Sequence, residues 1–154
     1  MTTRWERQRV ALEELKAILT EKHEDVELVL VEGHRDAEAI KRLGAFMPVD
    51  LCSHTGKTEH DIVADLSSKT REILILTDFD EEGRSKAKRL SQLLEAEGVH
   101  VLDELRRKFG RLMGVLDLKT IESLDDVFGN NLSLEQSIIK PQLMRNKKQR
   151  KNRI

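Results

Sequence analysis

The sequence predicts an open α/β fold in which helices cover both faces of a mainly parallel sheet. Four short apolar runs begin near Leu28, Val49, Ile73 and Val99, each about 21 to 26 residues after the one before. Segments with helical spacing of apolar residues separate these runs, which gives an alternation of strands and helices. The runs LVLV and ILIL contain no polar residue, so both faces of these strands are expected to be covered, as in a parallel sheet.

Each helix is predicted from apolar residues that recur every three or four positions. The first helix extends from about Arg4 to Lys22, ahead of the first strand. The apolar residues that mark the helices between strands are Ala37, Ile40 and Leu43, then Ile62, Val63 and Leu66, then Ala87, Leu90 and Leu94. Gly44 and Gly98 follow the first and last of these groups as C-terminal caps. Helical spacing resumes after the fourth strand, through Leu105, Phe109 and Leu112 and then Ile121, Leu124 and Phe128.

Length and composition limit the class of protein. With 154 residues, of which 38% are hydrophobic and 36% charged, the chain is expected to form one domain over residues 1–140. No apolar run approaches the ~20 residues that a membrane helix needs. Cys52 is the single cysteine, which excludes an internal disulfide and a Cys-rich zinc site. The first residues are charged where a secretion signal is apolar, so we expect a cytoplasmic protein without a membrane partner.

Two absences restrict the nucleic-acid chemistry that this chain can perform. It has no tyrosine and therefore no tyrosyl nucleophile for a phosphodiester. Its aromatic residues, four phenylalanines and one tryptophan, are too few and too scattered to form the stacking platforms that hold single strands. Any contact with nucleic acid is therefore expected to depend mainly on charge.

Charge is distributed unevenly along the chain. Residues 1–144 hold 21 basic and all 28 acidic side chains, a net charge of −7, whereas residues 145–154 hold six basic side chains and no acidic one. We expect residues 141–154 to be a disordered tail that contacts nucleic acid, with a merely solubilising end as the alternative. The cations of the tail are Arg145, Lys147, Lys148, Arg150, Lys151 and Arg153.

Acidic residues follow two of the apolar runs. Glu32 and Gly33 follow LVLV, and Asp78, Asp80 and Glu82 follow ILIL. If these strands are neighbours, the carboxylates converge at the edge where open parallel sheets bind ligands. Like charges repel, so such a group is expected mainly where a hard cation such as Mg²⁺ neutralises it. A lone Asp-x-Asp is more commonly a solvated turn, but the two motifs together are more specific.

The motifs Glu32-Gly33-x-x-Asp36 and Asp78-x-Asp80-x-x-Gly83 resemble those of the Toprim domain, which topoisomerases, bacterial-type primases and ribosomal-RNA maturase nucleases share. The resemblance covers about residues 26–112 and leaves helical flanks on both sides. It implies a four-stranded parallel sheet of Rossmann-like type between helices, with Asp78 and Asp80 as Mg²⁺ ligands. It also implies that Glu32 acts as a general acid or base, and that Glu82 is a further ligand in some branches.

Basic side chains near these motifs are candidates for binding substrate phosphates. Lys57 lies in the loop after the second strand, and Arg84 and Lys86 begin the helix after the third. Gly56-Lys57-Thr58 ends like a P-loop, but Leu51 stands where that motif requires glycine. Cys52, His54 and His60 lack a nearby fourth zinc ligand, and we expect them to be solvent-exposed loop residues. Arg106, Arg107 and Arg111 form a further basic cluster.

The sequence therefore predicts Mg²⁺-dependent phosphodiester chemistry on nucleic acid, with RNA favoured over DNA. A nuclease for structured RNA is the leading hypothesis, by analogy with small stand-alone Toprim proteins. Nucleotidyl transfer of the primase kind uses the same site with a hydroxyl nucleophile and remains an alternative. The third hypothesis is a non-catalytic RNA-binding or assembly factor that uses the metal to hold phosphates.

Overall fold

The computed structural model of the chain describes residues 2–21 and 25–128, in which strands alternate with helices as the apolar runs predict. The strands are β1 (Leu28–Val31), β2 (Val49–Leu51), β3 (Glu72–Ile75) and β4 (His100–Val101). The helices are α1 (Arg4–Thr20), α2 (His34–Arg42), α3 (Glu59–Lys69), α4 (Glu81–Ala96) and α5 (Asp103–Val115). Residues 124–128 are also helical.

The strands form one parallel sheet in the order β2-β1-β3-β4. The two central strands, β1 and β3, pair so that Leu30 lies beside Ile75. Their contact continues past the end of β3, where the N–H of Leu76 donates to the carbonyl of Leu30 at 2.7 Å. The predicted four-stranded α/β architecture is confirmed, and the carboxyl ends of β1 and β3 lie side by side.

Both faces of the central strands are buried, because helices pack on each side of the sheet. One face packs against α1, α2 and α5, and the other packs against α3 and α4. The side chains on the first face are Val29, Val31, Leu74 and Leu76, and those on the second are Leu28, Leu30, Ile73 and Ile75. Each of these is at most 4% exposed, which explains why LVLV and ILIL contain no polar residue. No helix in the described part of the chain is long and apolar enough to cross a bilayer.

Capping residues end and begin the helices at defined positions. Gly44 after α2 and Gly98 after α4 have φ values of +104° and +83°, which side chains with a Cβ rarely adopt. Thr58 begins α3 because its hydroxyl oxygen accepts the N–H of Asp61, while the Asp61 carboxylate accepts the N–H of Thr58. The predicted caps at Gly44 and Gly98 are confirmed.

The edge strand β4 is short and leaves part of β3 without a neighbouring strand. It pairs with Glu72 and Ile73 of β3. The N–H of Leu102 then donates to the carbonyl of Ile73 at 2.9 Å, and the chain enters α5. The carbonyl of Ile75, two residues further along the same side of β3, therefore has no strand to pair with. A groove between α4 and α5 lies along this open edge.

The loop between β3 and α4 packs tightly against the first turn of α4. A Cβ atom at Gly83 would lie 2.1 Å from the carbonyl oxygen of Asp78, a distance that no side chain tolerates. The buried hydroxyl of Thr77 donates to the carbonyl of Gly83 at 2.7 Å. The glycine of the second motif is thus required by this close approach of helix and loop.

We expect Gly83→Ala to lower the free energy of unfolding by about 1 to 3 kcal/mol, because the added methyl group must displace the backbone of Asp78. Urea denaturation measures the change. Gly114→Ala is the matched control, since a Cβ at position 114 in α5 would meet nothing within 4 Å. That control should be neutral or stabilising by up to about 1 kcal/mol. Equal effects of the two substitutions would contradict the close packing at Gly83.

Candidate metal centre

The carboxyl ends of β1 and β3 bring three carboxylates together. Glu32 directly follows β1, Asp36 lies in the first turn of α2, and Asp78 lies in the loop after β3. One oxygen atom from each side chain lies within 4.8 Å of one from each of the others. Among residues 2–21 and 25–128, no other group of three or more His, Cys, Asp or Glu side chains comes as close.

Backbone N–H groups hold each of these carboxylates in place. The N–H of Gly33 donates to Oδ2 of Asp36 at 3.1 Å, within the turn that begins α2. The N–H of Asp78 donates to Oε2 of Glu32 at 3.3 Å, which joins the ends of the two central strands. The N–H of Ile121 donates to Oδ1 of Asp78 at 2.9 Å. The segment after α5 is therefore part of the site.

Burial and mutual repulsion raise the pKa of two of the carboxyls. Burial raises the pKa of Asp78 to about 6, the charges of Glu32 and Asp36 add to the rise, and the N–H of Ile121 opposes it. Burial also raises the pKa of Asp36, which is 8% exposed, while the N–H of Gly33 lowers it. The site is thus an arrangement of negative charges that a bound cation would relieve.

The donor set fits a hard divalent cation. Glu32, Asp36 and Asp78 offer carboxylate oxygens alone, and hard cations prefer oxygen ligands to sulfur or imidazole nitrogen. Glu32 and Asp78 are only partly buried, so water and substrate oxygens have access to the remaining coordination positions. Asp36 and Asp78 would hold the ion, with the Glu32 carboxylate beside them.

Two of the predicted metal ligands, Asp80 and Glu82, lie outside the group of three. Oδ1 of Asp80 accepts the N–H of Gly83 at 2.7 Å and caps the N-terminus of α4. Glu82 is exposed in the first turn of α4. A role for these two residues in metal binding remains a sequence prediction.

Asp36 is the carboxylate of this group that the sequence prediction did not include among the site residues. It belongs to the Glu32-Gly33-x-x-Asp36 motif, but a motif alone does not tell which of its members face the site. The signal was its position three residues after Gly33, the N-cap of α2. An acidic side chain there reaches back to the N-cap N–H, which turns it toward the end of β1.

The structure separates the predicted phosphate-binding residues into two places. Nζ of Lys86 lies 3.7 Å from Oε1 of Glu32 and donates to Oγ of Ser53 at 3.3 Å. Lys57 is exposed in the loop after β2 and lines, together with Lys86, a cavity of about 430 Å³. Arg84 instead lines the groove between α4 and α5.

The loop after β2 has neither the form of a P-loop nor that of a zinc site. It turns at Gly56, and its threonine, Thr58, serves as the N-cap of α3. His54 and His60 are exposed, but the expected exposure of Cys52 is wrong, because its side chain packs in the core between the sheet and the helices α3 and α4. In the described chain the three side chains do not converge. The basic residues 145–154 lie outside the described residues.

Arg106 of α5 anchors the loop that carries Asp78. Its Nη1 donates to the carbonyls of Ile75 and Thr77, both at 3.0 Å, and its Nη2 donates to that of Asp78 at 3.2 Å. Its guanidinium carbon lies 4.4 Å from the centre of the Phe79 ring. Burial lowers the pKa of Arg106 to about 10, which still leaves it charged at neutral pH. Arg106 thus provides the hydrogen-bond donor for the Ile75 carbonyl that β4 is too short to supply.

The model of the Toprim domain matches residues 27–112, which include all three carboxylates of the candidate metal centre.

Individual relatives match parts of the chain. It is 38% identical to a UPF0292 protein of Pyrococcus abyssi over 66 residues, which are 43% of this chain and 49% of that protein. Identity to a UPF0292 protein of Thermococcus gammatolerans is 35% over 53% of this chain and 57% of that protein. Identity to a UPF0292 protein of Pyrococcus furiosus is 34% over 59% of this chain and 66% of that protein. The chain thus spans about half to two thirds of the length of these relatives.

The solved structure of an Aquifex aeolicus protein is similar to this one in fold. The two superpose with a TM-score of 0.54 and 25% sequence identity, and the similarity covers 75% of this chain and 95% of the other.

We expect Asp78→Asn to stabilise the metal-free protein at neutral pH. The pKa of Asp78 is raised from 3.8 to about 6 in the folded protein, so its ionisation destabilises the fold as pH rises through this interval. The variant should therefore match the wild type below about pH 4 and exceed it near pH 7.5 by about 1 to 2 kcal/mol, an amount reduced by partial solvation. Asn keeps an oxygen for the N–H of Ile121.

Urea denaturation at several pH values in EDTA measures this difference. Asp80→Asn is the matched control and should change stability little, because Asn is as good an N-cap as Asp. Adding Mg²⁺ should stabilise the wild type by about 2.7 kcal/mol at 100 times its dissociation constant, and Asp78→Asn much less. A pH-independent difference, or equal stabilisation of both proteins by Mg²⁺, would contradict the assignment.

Replacing Arg106 by lysine should destabilise the protein by about 1 to 3 kcal/mol, because an ammonium group cannot reproduce the planar fork that bonds three carbonyls. Arg107→Lys, at the exposed neighbouring position, is the control and should be neutral. Thermal denaturation compares the two variants. A neutral Arg106→Lys would show that the fork is not needed to hold the loop.

Proposed function

Because the chain belongs to the Toprim family, whose domain implies metal binding and nucleic-acid processing, we propose that it is a cytoplasmic Mg²⁺-dependent nuclease that hydrolyses structured RNA. The observation that carries the proposal is the convergence of Glu32, Asp36 and Asp78 within 4.8 Å at the carboxyl ends of β1 and β3. A charged group of this kind is costly to the fold, as the raised pKa of Asp78 indicates. A cation that binds these carboxylates and takes part in the reaction explains why the protein has such a group.

In hydrolysis, a water oxygen forms a bond to phosphorus, and the bond from phosphorus to the leaving oxygen breaks. When bound, Mg²⁺ would polarise the phosphate and stabilise the negative charge that develops on it. Asp36 and Asp78 would hold the ion, and Glu32 beside them takes the proton of the attacking water and returns it to the leaving oxygen. The N–H of Asp78 and Nζ of Lys86 contact its two carboxylate oxygens and so fix the orientation of the group.

Cations beside the centre bind the substrate phosphates. Lys86 lies next to Glu32, and Lys57 lines the same cavity from the loop after β2. Arg84, in the first turn of α4, lines the groove between α4 and α5. Phosphates on both sides of the scissile bond thus have basic partners, which hold the strand in register.

Hydrolysis of RNA is preferred to the other chemistries of the family for reasons of composition. The chain has no tyrosine for the covalent intermediate of topoisomerases, and one cysteine does not build the zinc module of primases. RNA is preferred to DNA because the chain resembles small stand-alone Toprim proteins, whose nearest chemistry is the processing of structured RNA. The single buried cysteine agrees with a reducing compartment.

We expect Glu32→Gln to lose at least about 10²-fold in the rate of RNA cleavage, since a neutral amide cannot accept the proton. Its affinity for RNA should stay within a small factor of that of the wild type. Cleavage of labelled hairpin RNA is measured at saturating Mg²⁺, with EDTA as the blank, and binding is measured by fluorescence anisotropy. Glu38→Gln, at an exposed position of α2, is the matched control and should retain full activity.

Three outcomes separate the hypotheses. Full activity of Glu32→Gln would remove Glu32 from proton transfer. Extension of the RNA when nucleotides are present, without cleavage, would favour nucleotidyl transfer. Binding of RNA by the wild type without Mg²⁺-dependent cleavage of any RNA or DNA would favour a non-catalytic binding protein.

A further inference from the structure

The groove between α4 and α5 is basic in an acidic protein. Its volume is about 770 Å³, and it follows the open edge of β3. The basic residues that line it are Arg84, Lys88, Arg106, Arg107 and Arg111, and the acidic ones are Glu95 and Asp103. The lining therefore has a formal charge of +3, whereas residues 1–144 together have a charge of −7.

Four of the five groove cations have no acidic partner. Arg84, Lys88, Arg107 and Arg111 form no ion pair and no side-chain hydrogen bond with any residue in 2–21 or 25–128. Arg89 provides the contrast, since it lies on α4 outside the groove and binds both carboxylate oxygens of Glu59. The fifth cation, Arg106, is occupied by backbone carbonyls. The four unpaired cations repel one another, and a polyanion would relieve this.

The spacing of these cations suits a chain of phosphates better than a single anion. Arg84 and Lys88 are one turn apart on α4, and Arg107 and Arg111 are one turn apart on α5. Each pair spans about 6 Å along its helix axis, so the groove carries two rows of positive charge. A ligand with repeated negative charges along its length matches both rows.

The groove also borders the loop that carries Asp78 of the candidate metal centre. Phe79, which lines it, directly follows Asp78 in the chain. Arg106 lies in the groove wall and donates to the carbonyl of Asp78. Gly110 keeps α5 close to this loop, because a Cβ there would lie 2.8 Å from the Phe79 ring. A strand in the groove would therefore lie beside the loop that carries Asp78.

From these observations we infer that the groove binds the sugar–phosphate backbone of a single RNA strand, the part of the substrate that flanks the cleaved bond. The inference rests on the proposed function for the identity of the polymer. Phe79 is only 9% exposed and is covered by Arg106 and Phe109, so it offers no free face for stacking of a base. Binding is thus expected to depend on charge and to be largely independent of sequence. Helical walls on both sides favour one strand over a duplex.

The test compares the full chain with Arg107→Gln/Arg111→Gln, which removes one row of charge from exposed positions. Affinity for a labelled single-stranded RNA is measured in EDTA at several salt concentrations. The slope of log affinity against log salt should fall by about 1.4, at 0.7 per lost phosphate contact, with a roughly tenfold weaker affinity at low salt. Lys41→Gln/Arg71→Gln removes the same charge at exposed positions of α2 and the start of β3 and should leave the slope unchanged.

A second double variant tests whether the loss of charge, and not a change in folding, lowers the salt slope. Arg107→Lys/Arg111→Lys keeps both charges and should restore the wild-type slope. Equal slopes for the groove and control pairs would overturn the inference, as would failure of the wild type to bind RNA. Tighter binding of a duplex than of a single strand, with a slope change of about 1.8 in the groove variant, would overturn the assignment to one strand.

Because RNA binding is measured in EDTA, the test of the groove does not depend on the proposed Mg²⁺-dependent cleavage. A groove-dependent slope in a protein that does not cleave RNA with Mg²⁺ would refute the nuclease and support the groove. Mg²⁺-dependent cleavage with rates unaffected by the groove substitutions, together with unchanged slopes, would support the nuclease and refute the groove.

Discussion

The fixed course of the loop between β3 and α4 is the constraint on which the site depends. Three separate parts of the chain hold it. Gly83 lets the first turn of α4 contact the carbonyl of Asp78, Arg106 of α5 donates to three backbone carbonyls, and the segment after α5 contributes two backbone groups. The two groups are the carbonyl of Lys119, which accepts the N–H of Phe79, and the N–H of Ile121, which binds Asp78. A carboxylate with an unfavourable charge keeps its position because its backbone cannot move away.

This rigidity explains how the fold tolerates a group of like charges. Three carboxylates within 4.8 Å destabilise the metal-free protein, and the raised pKa of Asp78 is one sign of that cost. Each carboxylate nevertheless accepts a backbone N–H, so each remains oriented when it is charged. A preorganised set of oxygen donors binds a cation without the entropy loss of gathering the ligands. A bound cation would offset the destabilisation that these charges cause in the metal-free protein.

Charge is separated on the surface in a way that suits a polyanionic ligand. The negative centre at the ends of β1 and β3 attracts a cation, and cations flank it from two directions. Lys57 and Lys86 line one cavity, while Arg84 and the rows on α4 and α5 line the other. The acidic remainder of the surface repels nucleic acid elsewhere and thereby favours approach at this end of the sheet.

The sequence by itself determined the sheet and two of the three carboxylates of the candidate metal centre. Buried parallel strands must be apolar on both faces, so the runs LVLV and ILIL identified β1 and β3. Residues that follow neighbouring parallel strands lie at the same edge of the sheet, which identified Glu32 and Asp78. Only the tertiary structure decided that Asp36 joins them while Asp80 caps α4, because a motif does not specify side-chain direction. It also decided that Arg106 supports the loop whereas its neighbour Arg107 faces the groove. The groove cations of α4 and those of α5 lie about 20 residues apart in the chain, so no local sequence pattern relates them. They come together only because the two helices pack on opposite faces of the same sheet.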